Sequence, residues 1–377
     1  MALNDMTMKQ ALHHSIYRPL PYGHGGEKRT AQIYEEAQQQ GVLFCNLHFT
    51  KNEGITIRRL WLSVWLLMRV YGIAHWKSFR AFLKQVRNIA IHYDRLLSFF
   101  RDTDNHIFIW ESVRSEWYIL PYLARKYGKA VIACPHNTES LVPNKNDMLF
   151  NYHKQQAFEQ ELTVLKHCEQ VFVISREETW LLRLWGVNAY YLPYYPAKEC
   201  REWLLDVRKQ RAIHPKTNKP TYLVIGSAIN QPTAIGMQQL VDYVVSHNMN
   251  IVLRIGGYGT DQHICVPKDC GNVVLLGELE QDQLTQEMIE CDAILINQPP
   301  TTGALTRIVE AEIAGIPIVA NTDSMRNYFN IPGIYEYRRL DELADVLNQE
   351  LQVPAIPEMP DCELLVNAIK NERDERI

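Results

Sequence analysis

Short apolar runs alternate with helical stretches along this chain, and the alternation stops and restarts once. That pattern most narrows the fold, because strands separated by helices pair in parallel through crossover connections. The first series reads as strands at 15–20 (SIYRPL), 42–47 (VLFCNL), 106–110 (HIFIW), 130–135 (AVIACP), 170–175 (QVFVIS) and 189–195 (AYYLPYY). A glycine loop and helix, YGHGGEKRTAQIYEEAQQQ, separate the first two. From 197 to 220 the pattern gives way to charged residues, which suit a linker helix and a connection between domains. A second series follows at 221–226 (TYLVIG), 250–257 (NIVLRIGG), 272–277 (NVVLLG), 291–297 (CDAILIN) and 317–321 (PIVAN). At 377 residues the chain is too long for one ordinary core. The expectation is α/β, with an N-terminal domain over 1–196 and a C-terminal domain over 197–377. The last helix is free to pack back on the first domain.

Each half has the form of a Rossmann-like parallel sheet, whose ligands sit beyond the carboxyl ends of the strands. Two facing domains of this kind would leave an interdomain cleft. Composition narrows what could bind there. The formal net charge of -4 argues against a general nucleic-acid binder. Eight scattered cysteines, several in apolar runs, suit reduced thiols in a cytosolic protein. Cys265 and Cys270, with His263 nearby, lack further ligands at metal-site spacing, so no metal is expected. The N-terminal MALNDMTMKQALHH has no apolar signal-peptide core, which points to the cytoplasm.

The stretch 58–87 stands apart. Its uncharged run within RRLWLSVWLLMRVYG is about half the roughly 20 residues a spanning helix needs. Lys77, Arg80, Lys84 and Arg87 then alternate with Trp76, Phe79 and Phe82. Two readings stand: a basic, Trp-rich segment lying on a membrane surface, or a core helix followed by a solvated one.

QPPTTGALTRIVEAEIAGIPIVAN, at 298–321, carries the most chemistry. A helix is predicted from Thr302 or Gly303 to about Ala314, with Gly315 as its stop and Pro317 beyond. A helix start offers unpaired N–H groups and partial positive charge, which bind phosphate. On that start, Arg307 lies one turn in, and Glu310 lies two turns past Gly303 on nearly the same line. Glu312 points elsewhere by the same geometry. Phosphate donors followed by a carboxylate fit a nucleoside diphosphate, the carboxylate taking the ribose diol. An ordinary capped helix with a surface Arg–Glu pair fits the same residues.

The stretch CDAILINQPPTTGALTRIVEAEIAGIPIVAN resembles the donor segment of GT-B glycosyltransferases, in particular the retaining family 4 (glycosyl transferases group 1). EAEIAGIPIVA stands where that family has E-A-x-x-x-G-x-P-V-V-A, so the resemblance makes Glu310 the ribose-binding carboxylate. YLVIGSAINQPTAIGMQQL resembles the first strand and glycine turn of the nucleotide domain, with Gly226 and Ser227 at the turn. NVVLLGELEQDQLTQEMIECDAILI resembles the base-binding strand and helix, with Gly277 to Leu279 against the base. PYGHGGEKRTAQIYEEAQQQG resembles the loop and helix that open the acceptor domain, which implies Gly25 and Gly26 beside the reacting region. AVIACPHNTES resembles a strand that ends in a histidine near the sugar, here His136, with Asn137 beside it. CEQVFVISREETWLL resembles the A-D-x-V-x-x-V-S-x-x-E strand and helix of the family. The order and spacing of these segments are more specific than any one of them.

Two departures stand out. The first of two glutamates common in the family falls at Thr302, so the N–H groups of Gly303 and Ala304, with the Thr302 hydroxyl and Leu305 beside them, would meet the sugar. The family's Arg and Lys after the first nucleotide-domain strand are missing from GSAINQPTAIG, which leaves Arg307 for the diphosphate. The resemblance implies transfer of a sugar from a UDP or GDP sugar to a glycan or lipid-linked hydroxyl, with retention. His136, Arg307 and Glu310 would be its catalytic set. The only approach to an Asp-x-Asp motif, DTDN at 102–105, precedes a strand, so metal-independent chemistry is expected. A nucleotide-sugar epimerase or hydrolase, or a non-catalytic glycan- or partner-binding module, would share the fold.

Overall fold

The computed structural model describes residues 9–49, 54–72, 76–143, 147, 149–151, 153–215, 219–268 and 270–370. Its contacts divide into two units. Unit 1 comprises 1–19, 33–193 and 361–377, and unit 2 comprises 20–32 and 194–360. The division thus groups the glycine loop with the C-terminal residues and the last helix with the N-terminal ones, where the sequence reading assigns 1–196 and 197–377.

Unit 1 holds a parallel sheet of six strands: β1 (Lys9–His14), β2 (Val42–Asn46), β3 (Ile107–Trp110), β4 (Ala130–Ala133), β5 (Gln170–Val173) and β6 (Ala189–Tyr191). Their order is β2-β1-β3-β4-β5-β6. The first strand lies at 9–14, not at the expected 15–20. β1 pairs on both sides, with β2 and β3, and a two-sided strand needs N–H donors that Pro19 cannot supply. Apolar side chains alternate between the faces. Leu12, Phe108 and Trp110 enter one core. Ala11, Ile109 and Ile132 enter the other, with Leu365 and Ile369 of the helix Glu363–Lys370.

Unit 2 holds β7 (Thr221–Ile225), β8 (Val252–Gly256), β9 (Val273–Gly277), β10 (Ala293–Ile296), β11 (Ile318–Asn321) and β12 (Ile334–Tyr337). They too are parallel, in the order β12-β11-β10-β7-β8-β9. This doubly wound arrangement reverses direction between β7 and β10, and the sheet of unit 1 reverses between β1 and β3. Such switch points open a crevice at the strands' carboxyl ends. Both sheets bear out the expected Rossmann-like α/β architecture. The charged stretch after 197 forms the helix Lys198–Ile213.

Candidate functional site

In unit 2 the chain leaves β10 through Asn297 and two prolines. The helix begins later than expected, at Thr306, with extended Leu305 as its N-cap. Gly303 is the reason: its φ of 77° is left-handed and cannot belong to a right-handed helix. Thr302, Gly303 and Ala304 are therefore loop. The Arg326 guanidinium donates to the Gly303 carbonyl, and the Tyr328 hydroxyl donates to Leu305 O at 3.2 Å. Thr302 Oγ1 is buried without a partner among the described residues. Glu310 consequently stands about one turn into the helix Thr306–Ile313, not two.

Arg307 turns back to the switch point. Its Nη1 donates to Ile225 O at the end of β7 (2.9 Å), and its Nη2 donates to Gln298 Oε1 after β10 (2.7 Å). Burial lowers its pKa to about 10, against the opposing pull of Glu310. Gly226 is what admits it, since a Cβ there would lie 2.5 Å from Arg307 Nη1. Ser227 follows in the turn, where its carbonyl accepts from Asn230 N at 3.2 Å. Gly277 ends β9, and its carbonyl accepts from Gly257 N at 2.7 Å. The Leu279 side chain packs against Gly256 at the end of β8.

Glu310 faces two donors. Lys28 Nζ donates to Oε2 at 2.7 Å, and the Tyr194 hydroxyl donates to Oε1 at 2.8 Å. Burial, then the nearby Glu310, raises the Tyr194 phenol well above its usual range, so it remains a donor. Lys28 belongs to the helix Gly25–Gln39. Gly25 opens that helix beside Thr306, with a would-be Cβ 3.7 Å from Thr306 Oγ1. Gly26 N donates to His24 Nδ1 at 3.2 Å. The structure thus brings a cation, Lys28, to Glu310. Glu312 is buried elsewhere on the helix, as expected, and burial raises its carboxyl to about 7.

In unit 1, His136 and Asn137 follow β4. His136 Nε2 lies 3.1 Å from Glu111 Oε2, and His13 Nε2 lies 2.6 Å from Glu111 Oε1. Glu111 follows β3, so this group sits at the switch point of its sheet. Sequence reading missed Lys28, Tyr194, Gln298, His13 and Glu111. A usable signal existed for the last two: a titratable residue at the carboxyl end of an apolar strand, in KQALHH and HIFIWE.

No family model matches the chain, and no curated protein matches it. Solved structures do. HepE of Anabaena in complex with UDP is 12% identical, with a TM-score of 0.57 over 90% of this chain and 89% of that one. Sucrose-phosphate synthase of Thermosynechococcus elongatus is 12% identical, with a TM-score of 0.54 over 90% of this chain and 88% of that one. The catalytic domain of starch synthase IV of Arabidopsis thaliana, bound to ADP and acarbose, is 10% identical, with a TM-score of 0.54 over 97% and 93%. At this identity the likeness is one of fold, the GT-B fold of glycosyltransferases.

Proposed function

We propose that this chain is a glycosyltransferase that moves a sugar from a nucleoside-diphosphate sugar to an acceptor hydroxyl, with unit 2 as the donor unit and unit 1 as the acceptor unit. The observation that carries the reading is Glu310, one turn into a helix beside the switch point of a doubly wound sheet, with Lys28 and Arg307 nearby. The fold is shared with proteins solved in complex with UDP, UDP-glucose or ADP.

On this reading the ribose diol takes the Glu310 carboxylate, displacing Lys28 Nζ from it. The freed ammonium and the Arg307 guanidinium offset charge on the diphosphate, with N–H groups of the loop 303–305 and no required metal. The base lies along Gly277 to Leu279. The bond from anomeric carbon to phosphate oxygen breaks, and its electron pair leaves with the diphosphate. The acceptor hydroxyl adds to the same face of the anomeric carbon, and its proton passes to the departing phosphate oxygen, so configuration is retained. His136 and Asn137, with Gly25 and Gly26, would line the sugar and acceptor.

The acceptor is proposed to be lipid-linked, reached from the cytoplasmic face of a membrane. Ile57, Trp61 and Trp65 recur every fourth residue on the helix Ile57–Tyr71 and are exposed; so are Phe79 and Leu83 on the helix Phe79–Ile91. No acidic residue occurs from Gly54 to Tyr93, whereas Arg58, Arg69, Arg80, Lys84 and Arg87 are exposed among them. That pattern suits an anionic lipid surface. Residues 73–75 of this stretch lie outside the described residues. Among the described residues no helix is long and apolar enough to cross a membrane.

Calorimetry with UDP and GDP, on the wild type and on Arg307→Ala and Glu310→Ala, tests the donor site. Binding of one nucleotide that weakens in both variants is expected. No binding, or binding unchanged in both, overturns the reading. Nucleotide binding with neither transfer nor slow hydrolysis of any nucleotide sugar would instead identify a non-catalytic module.

A further inference from the structure

The Glu111 side chain is fully buried, at 0% exposure, and each of its carboxyl oxygens faces a histidine Nε2. Burial alone would raise this carboxyl, but hydrogen bonds from His13 and His136 outweigh it and hold the group below the usual carboxylate range. An ionised carboxylate only accepts, so both Nε2 atoms carry hydrogen. The two rings differ at their other nitrogen. His13 Nδ1 lies 2.6 Å from Asn46 Oδ1, which also accepts from the Tyr34 hydroxyl at 2.5 Å. With an oxygen at each nitrogen, the His13 ring is held in place beside Glu111. His136 Nδ1 is buried and, among the described residues, has no hydrogen-bond partner.

We propose that Glu111 and His13 are positioning residues that lock His136 in the neutral Nε2–H form, so that its Nδ1 lone pair is a fixed acceptor for a hydroxyl of a bound sugar. The loop that carries His136 supports a polyhydroxylated ligand. Its backbone is already tied down: Thr138 N donates to Glu178 Oε1 at 2.6 Å, and Glu139 N and Ser140 N donate to the Glu161 carboxylate at 3.1 and 2.9 Å. Its side-chain atoms Asn137 Oδ1, Thr138 Oγ1 and Ser140 Oγ are buried without partners among the described residues. Thr138 is only 2% exposed. Buried polar atoms without partners are costly, and a ligand's hydroxyls can satisfy them. Other titratable groups facing the cluster are His14, whose ring burial and then the neighbouring His13 lower to about 3, Tyr34, whose phenol burial raises to about 12, and Tyr17, whose ring lies 4.9 Å from that of His136. The identity of the ligand as a sugar rests on the proposed glycosyl transfer; the tautomer of His136 does not.

Nitrogen NMR of the full chain labelled at histidine tests the lock, with the His136 resonances assigned by their loss in His136→Gln. The expected wild-type spectrum at neutral pH shows His136 as the Nε2–H form. In Glu111→Gln, with folding checked by circular dichroism, that preference is expected to be lost, and Glu111→Asp is expected to restore part of it. A wild-type His136 in the Nδ1–H or doubly protonated form overturns the proposal, as does an unchanged Nε2–H form in Glu111→Gln. A second arm titrates glucose, UDP-glucose and GDP-mannose while following His136 Nδ1. A shift with any of them supports the acceptor role, and no shift with all three removes it. Failure of nucleotide binding by calorimetry would sink the donor site yet leave the tautomer result standing.

Discussion

The two sheets place opposite charges at equivalent points. At the switch point of unit 2 a cation, Arg307, is held by the carbonyl of Ile225 and the amide of Gln298. At the switch point of unit 1 an anion, Glu111, is held between His13 and His136. The cation's partners are neutral oxygens, so its positive charge remains available to an anionic ligand. The anion's partners are two imidazoles, and among the described residues His136 Nδ1 has no partner. On the proposed function, the same topology would serve phosphate in unit 2 and hydroxyl groups in unit 1. Glu310 shows the other side of the contrast. Its donors are a lysine on a flexible stem and a phenol, partners a ligand can displace, whereas Glu111's rings are anchored at strand ends.

The largest effect expected from disturbing either switch point comes from packing. Gly236 lies in the helix Gln231–Ser246, where a Cβ would sit 1.6 Å from the Asn297 carbonyl after β10. Gly236→Val should cost more than about 3 kcal/mol, read by urea denaturation. Glu111→Ala comes next, at about 3 kcal/mol, because it leaves the His13 and His136 Nε2 groups without their shared acceptor. Arg307→Ala, whose partners are neutral, should cost about 1–3 kcal/mol in the same assay. Equal losses for the two would break the comparison.

Glu312 gives a pH test confined to unit 2. Its folded value of about 7 lies above its ordinary 4.5, so the folded state binds the proton more tightly. Its contribution is then fully present at low pH and is lost as pH rises from about 4.5 to 7, up to about 3 kcal/mol. Glu312→Gln should therefore match the wild type's melting temperature near pH 5 and exceed it at pH 8. A constant difference across that range would contradict the assignment. Glu310→Gln should weaken nucleotide binding by roughly ten- to a hundredfold, through lost charge-assisted hydrogen bonds, measured by calorimetry. The smallest stability effect belongs to Trp61→Ser with Trp65→Ser, within about 0.5 kcal/mol because both side chains are exposed. That double variant should nevertheless lose co-sedimentation with phosphatidylglycerol vesicles. A wild type that never sediments with them refutes the membrane surface.

Much of the fold was legible because parallel strands are buried on both faces and read as apolar runs. HIFIW, AVIACP, QVFVIS and TYLVIG each proved to be a strand to within a few residues. SIYRPL misled because its apolar residues resemble a strand, while KQALHH hides one behind polar letters whose histidines are buried. The helix start at 302–303 misled for a different reason. Glycine there suggests close ligand approach, but only the backbone reveals the left-handed φ that delays the helix to Thr306.

Sequence alone determined the α/β class and most strands of the two series, since apolar runs and turn chemistry are local properties; it misplaced β1 and left out β12. Tertiary structure decided what the side chains meet. Lys28 and Glu310 are 282 residues apart, and His13 and Glu111 are 98 apart. No local pattern encodes such pairs. They arise only when the fold brings distant segments together, where burial makes a nearby polar or charged group the available partner.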